Sequence, residues 1–282
     1  NAYFLSGELA TLLSGRYIEL KMLPLSFKEY SLWHRQNDID LQPTVLFNNY
    51  LKSSFPFTLF TETDAERLSY LQGLFSTVVL NDIVKRLGVQ EVRTLERLIE
   101  TLFSSVGSPV TINKIKDTMV GKGLKITNAT VDKYLQGILD SMIMYESKRY
   151  DIHGRQLIDT QAKYYVSDLG IRNLVLRDRQ EDFGHIIENV VFLELLRRGN
   201  KVYVGKSSKY EVDLVAINAK QEVSYYQVAA STLDEEVLKR ELRSLNQIED
   251  YFPKFLITMD DIVRTANYNG IQQINLLDWL LA

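Results

Sequence analysis

Three short stretches decide the fold: Gly-His-Ile-Ile-Glu at 184–188, Tyr-Glu-Val-Asp-Leu-Val at 210–215, and Tyr-Tyr-Gln-Val-Ala at 225–229. The first belongs to a run with helical periodicity, which puts Glu188 on a helix. The other two are apolar-flanked runs rich in β-branched and aromatic residues, which is typical of strands. Asp213 is therefore expected in one strand and Gln227 in the next.

This order of elements is similar to the core of divalent-metal nucleases of the PD-(D/E)xK type. Cutting requires carboxylates that hold a metal, which activates water, and a lysine near the attacked phosphorus. Glu188 and Asp213 are the candidate ligands for Mg²⁺ or Mn²⁺, and Gln227 could offer a carbonyl oxygen in place of a third carboxylate. The lysine would stand two residues after Gln227, where this chain has Ala229. The resemblance therefore implies a nuclease-like fold with degenerate positions and no assigned catalytic residue.

Other interpretations of these positions remain open. A lysine could reach the site from elsewhere, and Lys206 and Lys209 are the nearest in sequence. Glu188 and Asp213 could also be remnants, solvated or paired with arginine or lysine, that keep the polar centre of the fold satisfied. A platform that binds a DNA backbone or a partner without cutting lies between these two.

The composition excludes several classes of site. The 282 residues contain no cysteine and three histidines without ligand spacing, so disulfides, thiolate zinc sites and histidine-rich metal sites are not expected. The net charge is −3, so any nucleic-acid contact must come from local charge. No apolar run approaches the roughly 20 residues that span a bilayer, and no signal segment opens the chain. We expect a cytoplasmic protein without membrane contact.

The middle of the chain predicts a winged helix-turn-helix. Helical segments at 92–105, 109–119 and 127–139 precede two strands at 143–152 and 163–167, which is the order of that motif. Residues 107–163 hold nine Lys/Arg and six Asp/Glu, a local excess of positive charge. The candidate DNA-binding residues are those of the second helix and of the wing: Lys125, Asn128, Thr130, Lys133, Lys148, Arg149 and Arg155.

Motifs across nearly the whole chain resemble prokaryotic AAA-type ATPases that carry the domain of unknown function 4143. They include Leu-Ser-Gly-Arg-Tyr at 13–17, Gly-His-Ile-Ile-Glu-Asn-Val at 184–190 and Glu-Val-Asp-Leu-Val at 211–215. The resemblance implies that an ATPase domain, using ATP and Mg²⁺, precedes this segment in the parent protein. These residues hold no phosphate-binding loop, so no cofactor is expected in this fragment itself. Arg16 could sense the γ-phosphate in the parent, or could simply fix the turn between helix and strand.

The chain is therefore interpreted as the C-terminal fragment of such an ATPase, beginning at Asn1 without methionine; Asn1-Ala2 could be a cloning scar. The expected fold class is multidomain α/β. The expected domains are an ATPase remnant (1–35), a helical connector (36–90), a winged helix-turn-helix (91–170) and a PD-(D/E)xK nuclease-like α/β domain (171–282).

Three functions follow from this organisation. The first is a DNA-binding module without nuclease activity, coupled to the missing ATPase domain. The second is a protein-interaction or assembly module of the ATPase, with a homo-oligomer as one form. The third is a divalent-metal-dependent nuclease. Whether the fragment is an enzyme is left open.

Overall fold

A computed structural model describes residues 20–177, 182–207 and 209–282. Within these ranges the fold is mixed α/β, with helices packed around an eight-stranded sheet, so the expected α/β class is confirmed. No helix in the described part of the chain combines the length and the apolar character needed to cross a bilayer.

The α-helices have the following bounds: α1 (Phe27–Gln36), α2 (Pro43–Tyr50), α3 (Asp64–Thr77), α4 (Val92–Phe103), α5 (Ile112–Gly121), α6 (Asn128–Asp140), α7 (Leu169–Leu176), α8 (Phe183–Arg197), α9 (Glu235–Asn246) and α10 (Leu276–Leu281). Helix α3 continues through a π-helical segment, Val78–Val84, and one last turn, Lys85–Leu87. That turn ends at Gly88, whose φ of 60° is the left-handed conformation that glycine tolerates best.

The strands are β1 (Met144–Asp151), β2 (Gln156–Val166), β3 (Lys201–Ser207), β4 (Tyr210–Ile217), β5 (Val223–Ala229), β6 (Lys254–Thr258), β7 (Thr265–Tyr268) and β8 (Ile271–Asn275). They form one sheet in the order β2-β1-β3-β4-β5-β6-β8-β7. The pairs β1/β3, β5/β6 and β6/β8 are parallel, and the other neighbours are antiparallel.

The hairpin β1–β2 and the α/β layer share this sheet. Strand β1 pairs in parallel with β3, with Arg149 opposite Val204 and Asp151 opposite Lys206. The domain boundary expected between residues 170 and 171 therefore separates strands that are hydrogen-bonded to one another. The hairpin is part of the central sheet instead of a wing standing free in solvent.

Local sequence explains the three-helix unit, which we define as α4, α5 and α6. The apolar face of α4 is buried as its periodicity predicts, including Leu95, Leu98 and Leu102. Thr111 and Thr127 cap α5 and α6 by accepting a hydrogen bond from the backbone three residues on. A short turn joins the two helices and leaves the start of α6 at the surface.

A buried aspartate ties the helical connector to the end of the hairpin. Asp168 caps α7 and accepts hydrogen bonds from the Ser54 backbone N–H at 2.6 Å and the Ser54 hydroxyl at 2.9 Å. Gly170 follows within the first turn of α7, and a Cβ there would collide with the carbonyl oxygen of Lys52. The close approach of these segments therefore depends on glycine at this position.

Three details differ from what the sequence predicts. The acidic start and the charged face at 234–252 predict one long helix, but α9 ends at Asn246, and the following residues form the connection to β6. Strands β7 and β8 are not predicted; they join through Asn269 and Gly270, which both have positive φ. The alternating residues at 17–22 predict a strand, but most of them lie outside the described residues, and Leu20–Met22 carry no strand.

Candidate functional site

A buried lysine lies at the centre of the residues expected for the nuclease-like site. The Lys163 ammonium is 3.0 Å from Glu188 Oε1, 3.1 Å from Glu211 Oε1 and 3.6 Å from Asp213 Oδ1. The side chain of Lys163 is only 4% exposed. We call these four residues the lysine–carboxylate cluster. The lysine comes from the hairpin, and its three partners come from α8 and β4.

The alternation of strand β2 aims the lysine into the cluster. Side chains of successive strand residues point to opposite faces, so Lys163 and Tyr165 face α8 while Ala162 and Tyr164 face the three-helix unit. Tyr165 donates a 2.6 Å hydrogen bond to Glu188 Oε1, the same oxygen that the lysine contacts.

Helix α8 is held against β2 by its own next residue. Asn189 accepts from the backbone N–H of Val166 at 2.8 Å and donates to the carbonyl of Val166 at 3.0 Å. Both bonds are buried, and both fix the register of Glu188 opposite Lys163. The position of Glu188 relative to Lys163 is therefore fixed by two hydrogen bonds between α8 and the backbone of β2.

Burial and mutual charge shape the protonation of the cluster. Burial alone would lower the pKa of Lys163, but the charges of Glu188, Asp213 and Glu211 outweigh it and raise this pKa. The lysine is therefore a permanent cation. Burial, reinforced by the charge of Glu188, raises the pKa of Asp213 to about 7. Burial likewise raises the pKa of Glu188.

A second network surrounds Gln227. Its amide nitrogen donates to Glu241 Oε2 at 2.9 Å, and its amide oxygen accepts from the hydroxyl of Ser244 at 3.0 Å. Arg240 in turn donates two hydrogen bonds to Glu241 Oε1, at 3.0 and 2.7 Å. Gln227 is thus engaged with α9 on both sides of its amide, and its oxygen does not point freely toward the cluster.

Ala229 lies on the wall of an open cavity of about 520 Å³ that these groups share. The cavity is also lined by Glu188, Glu211, Asp213 and Glu241. The alanine methyl carries neither charge nor proton, so the only lysine ammonium that the described residues bring to the carboxylates is that of Lys163. Lys206 and Lys209, the lysines nearest to this site in sequence, make no such contact in the described part of the chain.

The carboxylates do not fit a metal ion as they stand. The described part of the chain contains no group of three or more His, Cys, Asp or Glu side chains arranged to hold one. Glu188 and Asp213, the expected Mg²⁺ or Mn²⁺ ligands, direct oxygens at the lysine instead. A metal would first have to displace a cation whose charge cannot be removed at ordinary pH. The arrangement agrees with the interpretation that these carboxylates are paired with a basic residue.

The two arginines expected on the wing turn toward the α/β layer. Arg149 lies 3.8 Å from Glu211 Oε2 and is largely buried. The guanidinium of Arg155 stacks over the ring of Phe252 at 5.7 Å. The parallel pairing of β1 with β3 brings the hairpin, and with it both side chains, against that layer, while Arg155 stays exposed.

A groove of about 580 Å³ separates α6 from the hairpin. Asn128 and Lys148 line it, together with the carboxylates of Asp132 and Glu146. Asn128 donates to Asn113 Oδ1 at 2.7 Å, which links the first turns of α5 and α6. We call this the helix–hairpin groove. It is the surface on which part of the expected DNA-binding set comes together.

The remaining members of that set have other surroundings. Lys125 is exposed in the turn before α6. Thr130 shares a hydrogen bond with Thr127 in the cap of α6. The ammonium of Lys133 donates to the carbonyl oxygen of Leu87 at 2.9 Å, at the end of the helix that follows α3. Arg16 lies outside the described residues.

Sequence comparison places the chain among known proteins. The "Uncharacterized protein" of Haemophilus influenzae is 38% identical over 285 residues, which cover all of this chain and 69% of that protein. The chain belongs to the family of this protein. Uncharacterized protein MJ1544 of Methanocaldococcus jannaschii is 28% identical over 295 residues, covering 97% of this chain and 63% of that protein. No solved structure matches the chain.

The family model that matches is described as a domain of unknown function (DUF8612), and it covers residues 45–182. This stretch contains most of the connector, the three-helix unit, the hairpin and α7, and it stops just before α8. Lys163 therefore lies inside the matched domain, while the three carboxylates that it contacts lie outside it. The cluster joins the two parts of the chain.

Sequence reasoning missed Lys163, Glu211 and Glu241 as members of the site. One available signal was the alternation in Lys-Tyr-Tyr-Val at 163–166, which marks Lys163 as sharing a face with Tyr165. A lysine that shares the buried face of a strand with a large aromatic requires a partner for its charge. Nothing in the sequence says which strand carries that partner.

Proposed function

We propose that this chain is a DNA-binding module that does not cut DNA. The observation that carries the proposal is the exposed first half of α6 beside the helix–hairpin groove, reached from a short turn after α5. Helix-turn-helix proteins present the first residues of their second helix to base edges in this way.

The groove chemistry supports contact with bases more than contact with phosphates inside it. Asn128 carries an amide, the group that can pair with adenine in the major groove. Asp132 and Glu146 would repel phosphates but could accept from the amino group of cytosine. Lys148 is the exposed basic residue of the same surface. A duplex would therefore present base edges here and place its phosphates at the rim.

The lysine–carboxylate cluster supports the proposal that this chain does not cut DNA. Cutting would require carboxylate oxygens free to bind a divalent ion, and here they surround an ammonium. The position expected for the motif lysine is Ala229, and Gln227 is held by Glu241 and Ser244. The nuclease-like core then serves as a support for the three-helix unit.

Fluorescence anisotropy with short single- and double-stranded DNA, over roughly 50–200 mM salt, tests the proposal. We expect duplex binding that weakens steeply with salt, with the DNA recovered intact after incubation with Mg²⁺ or Mn²⁺. Absence of binding at the lowest salt would contradict it. The alternative function, a protein-interaction module, would then be favoured. The apolar side chains of Phe57, Phe60 and Leu68 on the connector are exposed and could contact a partner protein.

One observation favours a second candidate, metal-dependent cleavage. Lys163 does bring an ammonium to Glu188 and Asp213, so a lysine is present near the expected ligands even though position 229 lacks one. DNA cut in the presence of Mn²⁺, and left intact by the Glu188→Gln and Asp213→Asn variants, would support this candidate. Cutting that survives in both variants would indicate a contaminating nuclease.

We further propose that the module acts within a longer AAA-type ATPase. The chain spans 69% and 63% of the lengths of its two relatives, which leaves room for a further domain in proteins of this kind. The test is to measure DNA affinity of the full-length protein with and without ATP and Mg²⁺. Identical affinities under both conditions would argue against coupling between the two activities.

A further inference from the structure

We infer that the phosphate-contacting surface of this chain is helix α5 with the turn that follows it, and not the hairpin. This inference deepens the proposed DNA-binding function and rests on it. The surface consists of three exposed lysines, Lys114, Lys122 and Lys125, and we call it the lysine strip. Its partner is the sugar–phosphate backbone of duplex DNA flanking the bases that α6 contacts.

The first step concerns the basic residues expected to contact DNA from the hairpin and from α6. In a free wing, basic residues of the hairpin would reach the backbone. Here Arg149 is largely buried beside Glu211, and Arg155 is stacked on Phe252. The ammonium of Lys133 on α6 is directed at the carbonyl of Leu87 on the connector, and Lys133 does not line the helix–hairpin groove. Three residues expected to bind DNA therefore contact the α/β layer or the connector and do not line the groove, although two of them stay exposed: Arg149, Arg155 and Lys133.

The second step is the exposure and the ion pairing of the lysines on α5 and on the turn before α6. Within the described residues, the side chains of Lys114 and Lys125 are exposed and have no carboxylate within ion-pair distance. Lys122 donates to the hydroxyl of Thr101 at 3.1 Å, a neutral partner that leaves the positive charge uncompensated. Only Lys116 among the lysines of α5 is paired, with Asp117 at 3.1 Å.

The third step is their placement. Lys114 and Thr118 are four residues apart on α5, so they share one face of the helix, and Lys122 continues that line at the end of α5. Lys125 lies two residues before Thr127, the N-cap of α6. The strip therefore runs along α5 and up to the start of α6. In helix-turn-helix complexes, the first helix crosses the backbone while the second enters the groove.

The strip also complements the groove electrostatically. The helix–hairpin groove holds two carboxylates, Asp132 and Glu146, against Lys148. The strip holds three lysines with Asp117 as the neighbouring acid on α5. Phosphates are therefore attracted to the side of α5 and repelled from the groove, which orients the duplex across α6 in one direction.

The experiment compares the wild-type chain with three double variants of equal charge change, each checked for folding by circular dichroism. They are Lys114→Ala/Lys125→Ala in the strip, Arg149→Ala/Arg155→Ala on the hairpin, and Lys201→Ala/Lys220→Ala as a control at exposed lysines of the α/β layer. Each is titrated against one short random-sequence duplex at salt concentrations from roughly 50 to 200 mM.

Each phosphate neutralised contributes about 0.9 to the slope of log affinity against log salt. The strip variant should therefore lose about 1.8 from that slope, while the hairpin and control variants keep the wild-type slope. Over a fourfold change in salt, this means that wild-type affinity falls by about tenfold more than the affinity of the strip variant.

The outcomes separate the inference from the function beneath it. A wild-type chain that does not bind at about 50 mM salt overturns both. A wild-type chain that binds, with the slope lost in the hairpin variant and kept in the strip variant, overturns the inference and leaves DNA binding intact. Loss of slope confined to the strip variant supports both.

Discussion

Replacing Lys163 with methionine removes the cation from the cluster at nearly constant side-chain volume. The Lys163 side chain is 4% exposed and its ammonium has carboxylate oxygens at 3.0, 3.1 and 3.6 Å, so the variant leaves the buried carboxylates of Glu188 and Asp213 without a cation beside them. Breaking a buried ion pair from one side costs about 3–5 kcal/mol. We expect Lys163→Met to lower the free energy of unfolding by that amount at pH 8, measured by urea denaturation followed by circular dichroism.

The pH dependence of this loss has a defined sign. Without the lysine, the folded-state pKa values of Glu188 and Asp213 rise further above those of the unfolded chain. A raised folded pKa adds stability that is present at low pH and is lost as the pH rises through that pKa. The deficit of Lys163→Met relative to wild type should therefore be smaller at pH 5 than at pH 8.

A double-mutant cycle with Glu188→Gln isolates the pairing. Glutamine keeps an acceptor for the hydroxyl of Tyr165 and removes one charge. The double variant should be more stable than Lys163→Met alone, with a coupling energy above about 1 kcal/mol. The reasoning is refuted if Lys163→Met stays within about 1 kcal/mol of wild type at pH 8 while the coupling energy is near zero.

Three further predictions concern stability. The pKa of Asp213 is raised to about 7, so the wild-type chain should lose stability between about pH 4 and pH 7. The Asp213→Asn variant should flatten this part of the curve of unfolding free energy against pH. Parallel curves for the two proteins would contradict the assignment. The Gly170→Ala variant should lose about 1–3 kcal/mol of unfolding free energy, because the new methyl group collides with the carbonyl of Lys52. Gly73 is a helical glycine with open space around it, so the control variant Gly73→Ala should be neutral or stabilising. Equal melting temperatures for the two variants would exclude the clash. The Lys133→Ala variant should lose about 0.5–1.5 kcal/mol of unfolding free energy, because the carbonyl of Leu87 loses its hydrogen bond. The salt slope of DNA binding should stay unchanged. A flattened slope would show that Lys133 contacts phosphates.

Regular periodicity explains which parts of the fold could be predicted from the sequence. Helices α4 and α8 and strands β3 to β5 carry long or strongly patterned apolar runs, so a local reading suffices for them. Strands β7 and β8 are only four and five residues long, and their signal was the turn at Asn269-Gly270, a typical hairpin dipeptide.

The candidate site divides along the same line. The placement of Glu188 on a helix and of Asp213 and Gln227 in two strands could be predicted, because the patterns that mark these elements are local. Lys163 could not, because its place depends on β1 pairing with β3, a parallel contact between strands about 50 residues apart. The same pairing brings Arg149 and Arg155 into contact with the α/β layer.

The pairing of β1 with β3 also bears on how this chain could be divided or recombined. A fragment ending at residue 182, where the matched domain stops, would leave the edge of β1 without hydrogen-bond partners and Lys163 without its carboxylates. Exposed strand edges of this kind promote aggregation. The three-helix unit with its hairpin is therefore not a transferable cassette, and exchanging it between relatives would require α8 and the first strands of the α/β layer to move with it.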